Sequence, residues 1–241
     1  MDIFIFRHAQ GYNNLPVSSH PLAADEIRHR LDAPLTDRGH TQARYLADYV
    51  SARWNEEEYG EYGRVSFWFS HLYASPMHRT ADTAYALSRK LDIPITFEPL
   101  IHECGGLSHP EEDGAIVTVP GLPRSFYRTH YEDAVIPDEI TEEGWWKSDR
   151  PETSADWDER ARLWLSKAKE LHGGEGESIA IVTHQGFFQA LMRRLLDAVG
   201  RPLWFTMLNT GATRVHLGPD GQTVFRFVNH LAHLPYDLIT G

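Results

Sequence analysis

Cysteine is almost missing from this chain: Cys104 is the only one among 241 residues. No intrachain disulfide can form, so a reducing, cytoplasmic setting is expected. Long apolar runs are missing too. No stretch approaches the roughly 20 residues that a membrane helix needs, and the longest apolar clusters, such as Ser178-Ile-Ala-Ile-Val-Thr183, have strand length. The opening residues, Met1-Asp2 and an apolar stretch ending at Arg7, hold neither a basic leader nor a cleavage site, which predicts no signal peptide. There is no internal repeat and no low-complexity tract. Basic residues are outnumbered, 23 Lys and Arg against 34 Asp and Glu, for a net charge of −11. That balance argues against nucleic acid or an anionic membrane as the main partner. It leaves room for a small anionic substrate in a local basic pocket.

What is present describes an ordinary globular chain, 41% hydrophobic and 24% charged, long enough for a substantial core. Ile3-Phe-Ile-Phe6 predicts a first strand. Gly11, Asn13, Asn14 and Pro16 predict a loop after it. Ala23 to Leu31 is a helix candidate, and Thr36 an N-cap for a helix to about Trp54. Val65 to Ser70 predicts the second strand, and Ser75-Pro76 predicts the start of a helix running to about Leu91. Pro94 to Phe97 predicts a short strand. Residues 104–151, rich in Gly, Pro, Asp and Glu, predict an irregular insertion or cap with a short helix near Arg124–Tyr131. A helix over Ala155–Leu171, a buried strand over Ser178–Thr183 and a helix over Gln185–Val199 follow. Two strands, Ala212–Leu217 and Val224–Val228, end the series. Strands alternating with helices predict a single α/β domain over 1–241, a mostly parallel sheet flanked by helices in a three-layer sandwich.

Chemistry-bearing residues fall at strand ends. Arg7-His8 follows the first strand, His184 follows the Ser178–Thr183 strand, and Arg79 lies in the first turn of the helix after the second. Ligands of open α/β sheets gather at the carboxyl ends of strands. These three connections would therefore aim two guanidiniums and two imidazoles at one crevice. Such a set suits a dianionic phosphate, since guanidinium forks bond two phosphate oxygens at once. A neutral imidazole among them is a competent nucleophile toward phosphorus, given a carboxyl group to protonate the departing alkoxide. Arg-His alone is not specific; Arg28-His29 repeats it within a predicted helix.

The joint pattern resembles the histidine phosphatase superfamily, the clan containing cofactor-dependent phosphoglycerate mutases. Arg7-His-Ala-Gln-Gly-Tyr-Asn-Asn14 resembles its opening motif. Asp32-Ala-Pro-Leu-Thr-Asp-Arg-Gly-His-Thr-Gln-Ala43 and Ser75-Pro-Met-His-Arg-Thr-Ala-Asp-Thr83 resemble its next blocks. Leu100-Ile-His-Glu103, Ile181-Val-Thr-His-Gln-Gly186 and Asn229-His-Leu-Ala-His-Leu234 follow in the same order. The resemblance implies a phosphoglycerate mutase-like fold. It implies His8 as the nucleophile that becomes phosphohistidine, Arg7, Arg79 and His184 as the phosphoryl clamp, and Glu103 as general acid and base. Asn14 matches a further pocket residue, and Gly11, Tyr12 and Gln185 are candidate phosphate-binding neighbours.

Two departures favour hydrolysis over mutase chemistry: Ala9-Gln10-Gly11 replaces the mutases' Gly-Glu-Ser, and residues 15–31 carry an insertion, where His20 is a candidate polar residue. A metal-independent phosphomonoesterase acting on a small phosphate ester, without cofactor or metal, is the expectation. A mutase and a non-catalytic phosphate binder are the alternatives. A metal site at His102, Cys104 and His109 matches no common zinc spacing. In the insertion, Trp145-Trp146 can wall a leaving group or pack the insertion onto the core. Arg124 and Arg128 can meet a second anion or form a solvated face. Tyr12, His102 and Cys104 are near enough to the motifs to line a pocket. A homo-oligomer is compatible with the sequence.

Overall fold

A computed structural model describes residues 1–15, 31–55, 65–110, 114–174 and 176–241. The candidate helix at Ala23–Leu31 lies outside these residues except for its last position, and His20 lies outside them altogether. The main sheet is built around β1 (Asp2–Arg7) and β6 (Ser178–Thr183), which pair in parallel from Asp2↔Ser178 to Arg7↔Thr183. Both strands are apolar on each face, as strands covered on both sides must be. Phe4 and Phe6 of β1 point to one layer, while Ile3 and Ile5 point to the other.

The first layer is formed by α1 (Asp37–Ala52) and α2 (His78–Leu91). Leu46, Val50, Ala84 and Leu87 pack there with Phe4, Phe6, Phe67 and Phe69. The second is formed by α4 (Ser154–His172) and α5 (Gln185–Leu195). Trp164, Phe187 and Leu191 pack there with Ile3, Ile5, Ile179 and Ile181. The sheet order is β3-β2-β6-β1-β7-β8, where β2 is His71–Ala74, β3 Ile95–Phe97, β7 Ala212–Leu217 and β8 Thr223–His230. β3, β2, β6 and β1 run parallel; β7 is antiparallel to β1, and β8 to β7. This is the expected helix–sheet–helix sandwich with a mostly parallel sheet.

Within 104–151 the structure holds a two-stranded ladder, β4 (Ser108–Pro110) with β5 (Ile116–Thr118), and a short α3 (Arg124–His130) at the expected place. Thr36 caps α1 as expected, its hydroxyl accepting from the Gly39 amide. Thr153 caps α4 the same way, accepting from Asp156.

Three expectations need correction. The second strand lies at His71–Ala74 rather than Val65–Ser70. Its partner β6 begins only at Ser178, opposite the residue before His71, so earlier residues have no ladder to join. Phe67 and Phe69 instead reach back as apolar anchors against Phe4 and Phe6. The helix expected from Ser75-Pro76 begins at His78 with Met77 as its cap. Ser75 lies before the helix with its hydroxyl on His184, and the Pro76 carbonyl accepts from the buried Tyr127 hydroxyl. The helix expected to reach Val199 ends at Leu195.

Candidate active site

The register of β1 and β6 builds the site. Arg7 and Thr183 are the last paired residues, so the chain leaves the sheet at His8 and His184 side by side. The His8 amide donates to the Thr183 carbonyl, and the two rings lie with centroids 5.1 Å apart. β2 ends one strand away, and Ser75 follows it directly below His184. Arg79 enters from the first turn of α2.

Each of these side chains is held from behind. His8 Nδ1 lies 2.7 Å from the Ala9 carbonyl oxygen, which can only accept. That contact places the ring proton on Nδ1 and the lone pair on Nε2. Consistently, Arg79 Nε donates to His8 Nε2 at 3.2 Å. The ring is fully buried, and its pKa is pushed well below the usual histidine value by burial, then by Arg79 and Arg7. His8 is thus a neutral imidazole with its lone pair turned toward the guanidiniums.

His184 is equally buried, and its pKa is pushed down by burial first and by Arg79 next. Its Nε2 lies 2.9 Å from Ser75 Oγ, and Ser75 Oγ also accepts from the Met77 amide at 3.3 Å. With the serine hydrogen directed at Nε2, the His184 proton stands on Nδ1. Arg7 is anchored by Nη1 donating to the Met207 carbonyl at 2.6 Å. Burial lowers its pKa to about 10, with Arg79 adding to the shift and Glu103 opposing it, so it is cationic at neutral pH. Burial likewise lowers the pKa of Arg79, against the pull of Glu103 and Asp32.

Among the described residues, Arg7 Nε, Arg79 Nη1 and His184 Nδ1 are buried without a hydrogen-bond partner. Orphaned buried donors are rare and costly. Three of them beside the neutral His8 ring form a cradle whose chemistry suits an anion with several acceptor oxygens.

Glu103 reaches the same place from the loop after a 3-10 turn at Pro99–Ile101. Its Oε1 accepts from the Cys104 and Gly186 amides, each at 2.8 Å. Gly186 is the second residue of α5, so the carboxylate sits at a helix N-terminus. A Cβ at Gly186 would fall 2.4 Å from that oxygen and 2.7 Å from Cys104 Cβ, so only glycine admits the contact. Oε2 of Glu103 has no partner among the described residues. Arg160 fixes the loop beneath, donating to the Leu100 and His102 carbonyls at 2.7 and 2.8 Å and forking onto Glu152. The Thr183 hydroxyl donates to the Ile101 carbonyl.

The other expected residues are placed as follows. Asn14 Oδ1 accepts from the Gly11 amide at 3.0 Å and faces Asn209, which donates to the His8 carbonyl. A Cβ at Gly11 would come within 3.2 Å of Arg79 Cδ, so the backbone there packs directly on the arginine. Tyr12 is half-buried in the short turn Tyr12–Asn14. The Gln185 amide is bonded at both ends to backbone, at Phe205 O and Met207 N. It positions the carbonyl that anchors Arg7 rather than presenting a free donor. Cys104 is held as a thiol by burial and by Glu103, both of which raise its pKa.

Trp145 and Trp146 are buried in the core beneath His102, where Trp146 donates to Ser108 Oγ. Of the two roles open to them, they pack the insertion onto the core. Arg124 donates to the carbonyls of Ile136, Pro137 and Ile140, and Arg128 is exposed, the solvated face that was the other reading of it. Among the described residues, His102, Cys104 and His109 do not bring ligand atoms to a common point. Ser75, Asn209, Arg160 and Thr183 were missed as site residues. Ser75 and Thr183 stand inside the family-like blocks without a role of their own, and Asn209 and Arg160 carry no signal in the sequence.

The sequence model of the histidine phosphatase superfamily (branch 1) matches residues 3–230. The chain belongs to this family. No curated protein sequence matches it significantly. Among solved structures it resembles a mycobacterial glucosyl-3-phosphoglycerate phosphatase complexed with VO3, at TM-score 0.59 and 20% identity over 95% of this chain and 98% of that one. It also resembles phosphoserine phosphatase from Entamoeba histolytica bound to phosphoserine, at 0.54 and 19% over 97% and 99%. Bacillus stearothermophilus YhfR matches at 0.57 and 20% over 96% and 98%. The expected family and fold are both confirmed. Among the described residues no helix is long and apolar enough to cross a membrane.

Proposed function

We propose that this member of the histidine phosphatase superfamily hydrolyses a small-molecule phosphate monoester through a phosphohistidine on His8, without a metal. The observation that carries the reading is the His8 tautomer. With Nδ1 committed to the Ala9 carbonyl, Nε2 holds its lone pair amid three unpaired buried donors. The phosphoryl group enters with its oxygens on Arg7 Nε, Arg79 Nη1 and His184 Nδ1. His8 Nε2 attacks phosphorus, and the bond to the ester oxygen breaks. The carboxyl group of Glu103 gives a proton to the departing alkoxide. Water then attacks the phosphohistidine, Glu103 takes the water's proton, and the N–P bond breaks to release phosphate. The fixed donors stabilise charge that grows on the phosphoryl oxygens in both transition states.

The structurally similar glucosyl-3-phosphoglycerate and phosphoserine phosphatases support a small phosphate ester as substrate. The three carbonyl bonds of Arg124 speak against a second anion clamp there. The test is phosphate release from p-nitrophenyl phosphate in EDTA by wild type and His8→Ala. Metal-free turnover that vanishes in the variant, with an acid-labile, base-stable phosphoryl adduct only in wild type, is expected. Equal turnover in both proteins would overturn the assignment. Conversion of 3-phosphoglycerate to its 2-isomer without phosphate release would make the enzyme a mutase.

A further inference from the structure

A second cluster lies at the opposite end of the sheet, unused by the phosphoryl site. His71 opens β2, His172 closes α4, and Glu177 immediately precedes β6. β2 and β6 are parallel neighbours with His71 opposite Ile179, so all three residues meet at the amino end of the strands. The active-site histidines leave from the carboxyl end, six residues along β6, or roughly 20 Å away at strand rise.

Among the described residues this is the one group of three in which a ligand atom from each lies within 4.8 Å of those of the other two. The His71 and His172 rings approach to 4.4 Å between centroids. Glu177 forms no close ion pair with either ring, although its charge acts on His172 across the gap. Each ring is instead oriented from outside. Ser70 Oγ engages His71 Nδ1 at 2.9 Å, and the Tyr73 hydroxyl engages His172 Nε2 at 2.7 Å. One nitrogen per ring is left over. When Nδ1–H of His71 and Nε2–H of His172 donate to those oxygens, the remaining nitrogens carry lone pairs. A histidine tied by one nitrogen to an oxygen partner and offering the other is the arrangement metal-binding histidines use.

We propose that His71, His172 and Glu177 form a binding site for a divalent transition metal, with Zn2+ the ion best suited to it. Two imidazoles and one carboxylate fit Zn2+ bonds of about 2.0–2.2 Å, with water in the fourth position. His71 is exposed while His172 is buried, so the site is open to the ion from one side. A metal there would clip the end of α4 to the starts of β2 and β6. Its role is structural, and it stands independently of the phosphohistidine reaction.

The experiment uses untagged full-length protein stripped with chelator and titrated with Co2+. Wild type is expected to show the visible bands of four-coordinate Co2+ at one equivalent, bleached by Zn2+. Added Zn2+ should raise its melting temperature by mass action. His71→Ala, at an exposed position, should fold normally, lose the bands and the thermal shift, and keep full phosphatase turnover. Tyr73→Phe should weaken Co2+ binding about tenfold or more by freeing the His172 ring. Absence of the bands in wild type, or bands of equal strength in His71→Ala, would overturn the site.

Discussion

The Gly186 amide donates to Glu103 Oε1 at 2.8 Å, and no residue with a Cβ can stand where Gly186 does. The contact fixes the carboxyl group at the N-terminus of α5, within the field of Arg7 and Arg79.

Gly186→Ala should therefore displace Glu103 while leaving the phosphate cradle whole. Misplacing a catalytic group by about 1 Å can cost roughly 10²-fold in rate. The expected result is a fall in kcat of that order, with the affinity for inorganic phosphate little changed. Steady-state kinetics and phosphate inhibition constants check it; an unchanged kcat would remove Glu103 from the proton transfers.

Ser75 orients His184 without touching substrate. Ser75→Ala frees His184 Nε2 and lets the ring carry its proton on either nitrogen. Loss of one net hydrogen bond is worth about 1 kcal/mol, so kcat/KM should fall roughly five- to tenfold. Fold is preserved, because Thr80 still donates to the Ser75 carbonyl. Kinetics beside a melting curve separates the two effects.

Much of this was legible in advance, and the illegible part has a physical reason. β1 and β6 were readable because a strand buried on both faces must be apolar throughout, and Ile3–Phe6 and Ile179–Val182 are. His8 and His184 followed from being next in the chain. Strand two was misplaced because Phe67 and Phe69 carry the alternation of a strand while serving as core anchors outside the ladder. Glu103 was selected by resemblance alone. Nothing local distinguishes a carboxylate whose partner amides are its neighbour Cys104 and a glycine 83 residues away. Arg160 looks like any helix arginine until its four contacts are seen.

Burial of neutral histidines makes stability depend on pH. His8 and His184 have pKa values depressed well below the unfolded value, and His233 is lowered to about 4 by burial and then by His230. Below about pH 6.5 the unfolded chain binds protons that the folded chain refuses, so stability falls as pH drops and is fully recovered above that value. Melting in phosphate-free buffer should show a clear loss of Tm from pH 7.5 to pH 5. His233→Asn should lose less than wild type. A flat profile would mean that these rings are protonated in the folded protein.

Arg160 offers the sharpest test of how the acid is held. Its Nε and Nη2 fork onto the two oxygens of Glu152, while Nη1 holds the Leu100 and His102 carbonyls that precede Glu103. Burial opposes ionisation of Glu152, but the close His102 ring and the fork from Arg160 overcome it and hold its pKa down at about 2. A lysine ammonium cannot reproduce this planar fork, so Arg160→Lys should loosen the 100–103 loop. The consequence is selective. On the proposed mechanism Glu103 protonates the leaving group, so an alkyl phosphate, whose alkoxide needs that proton, should lose kcat by about tenfold or more. Turnover of p-nitrophenyl phosphate, with its far weaker base as leaving group, should change much less, and KM for both should stay close to wild type. Equal losses on the two substrates would mean that Arg160 supports the fold at large and not the position of the acid.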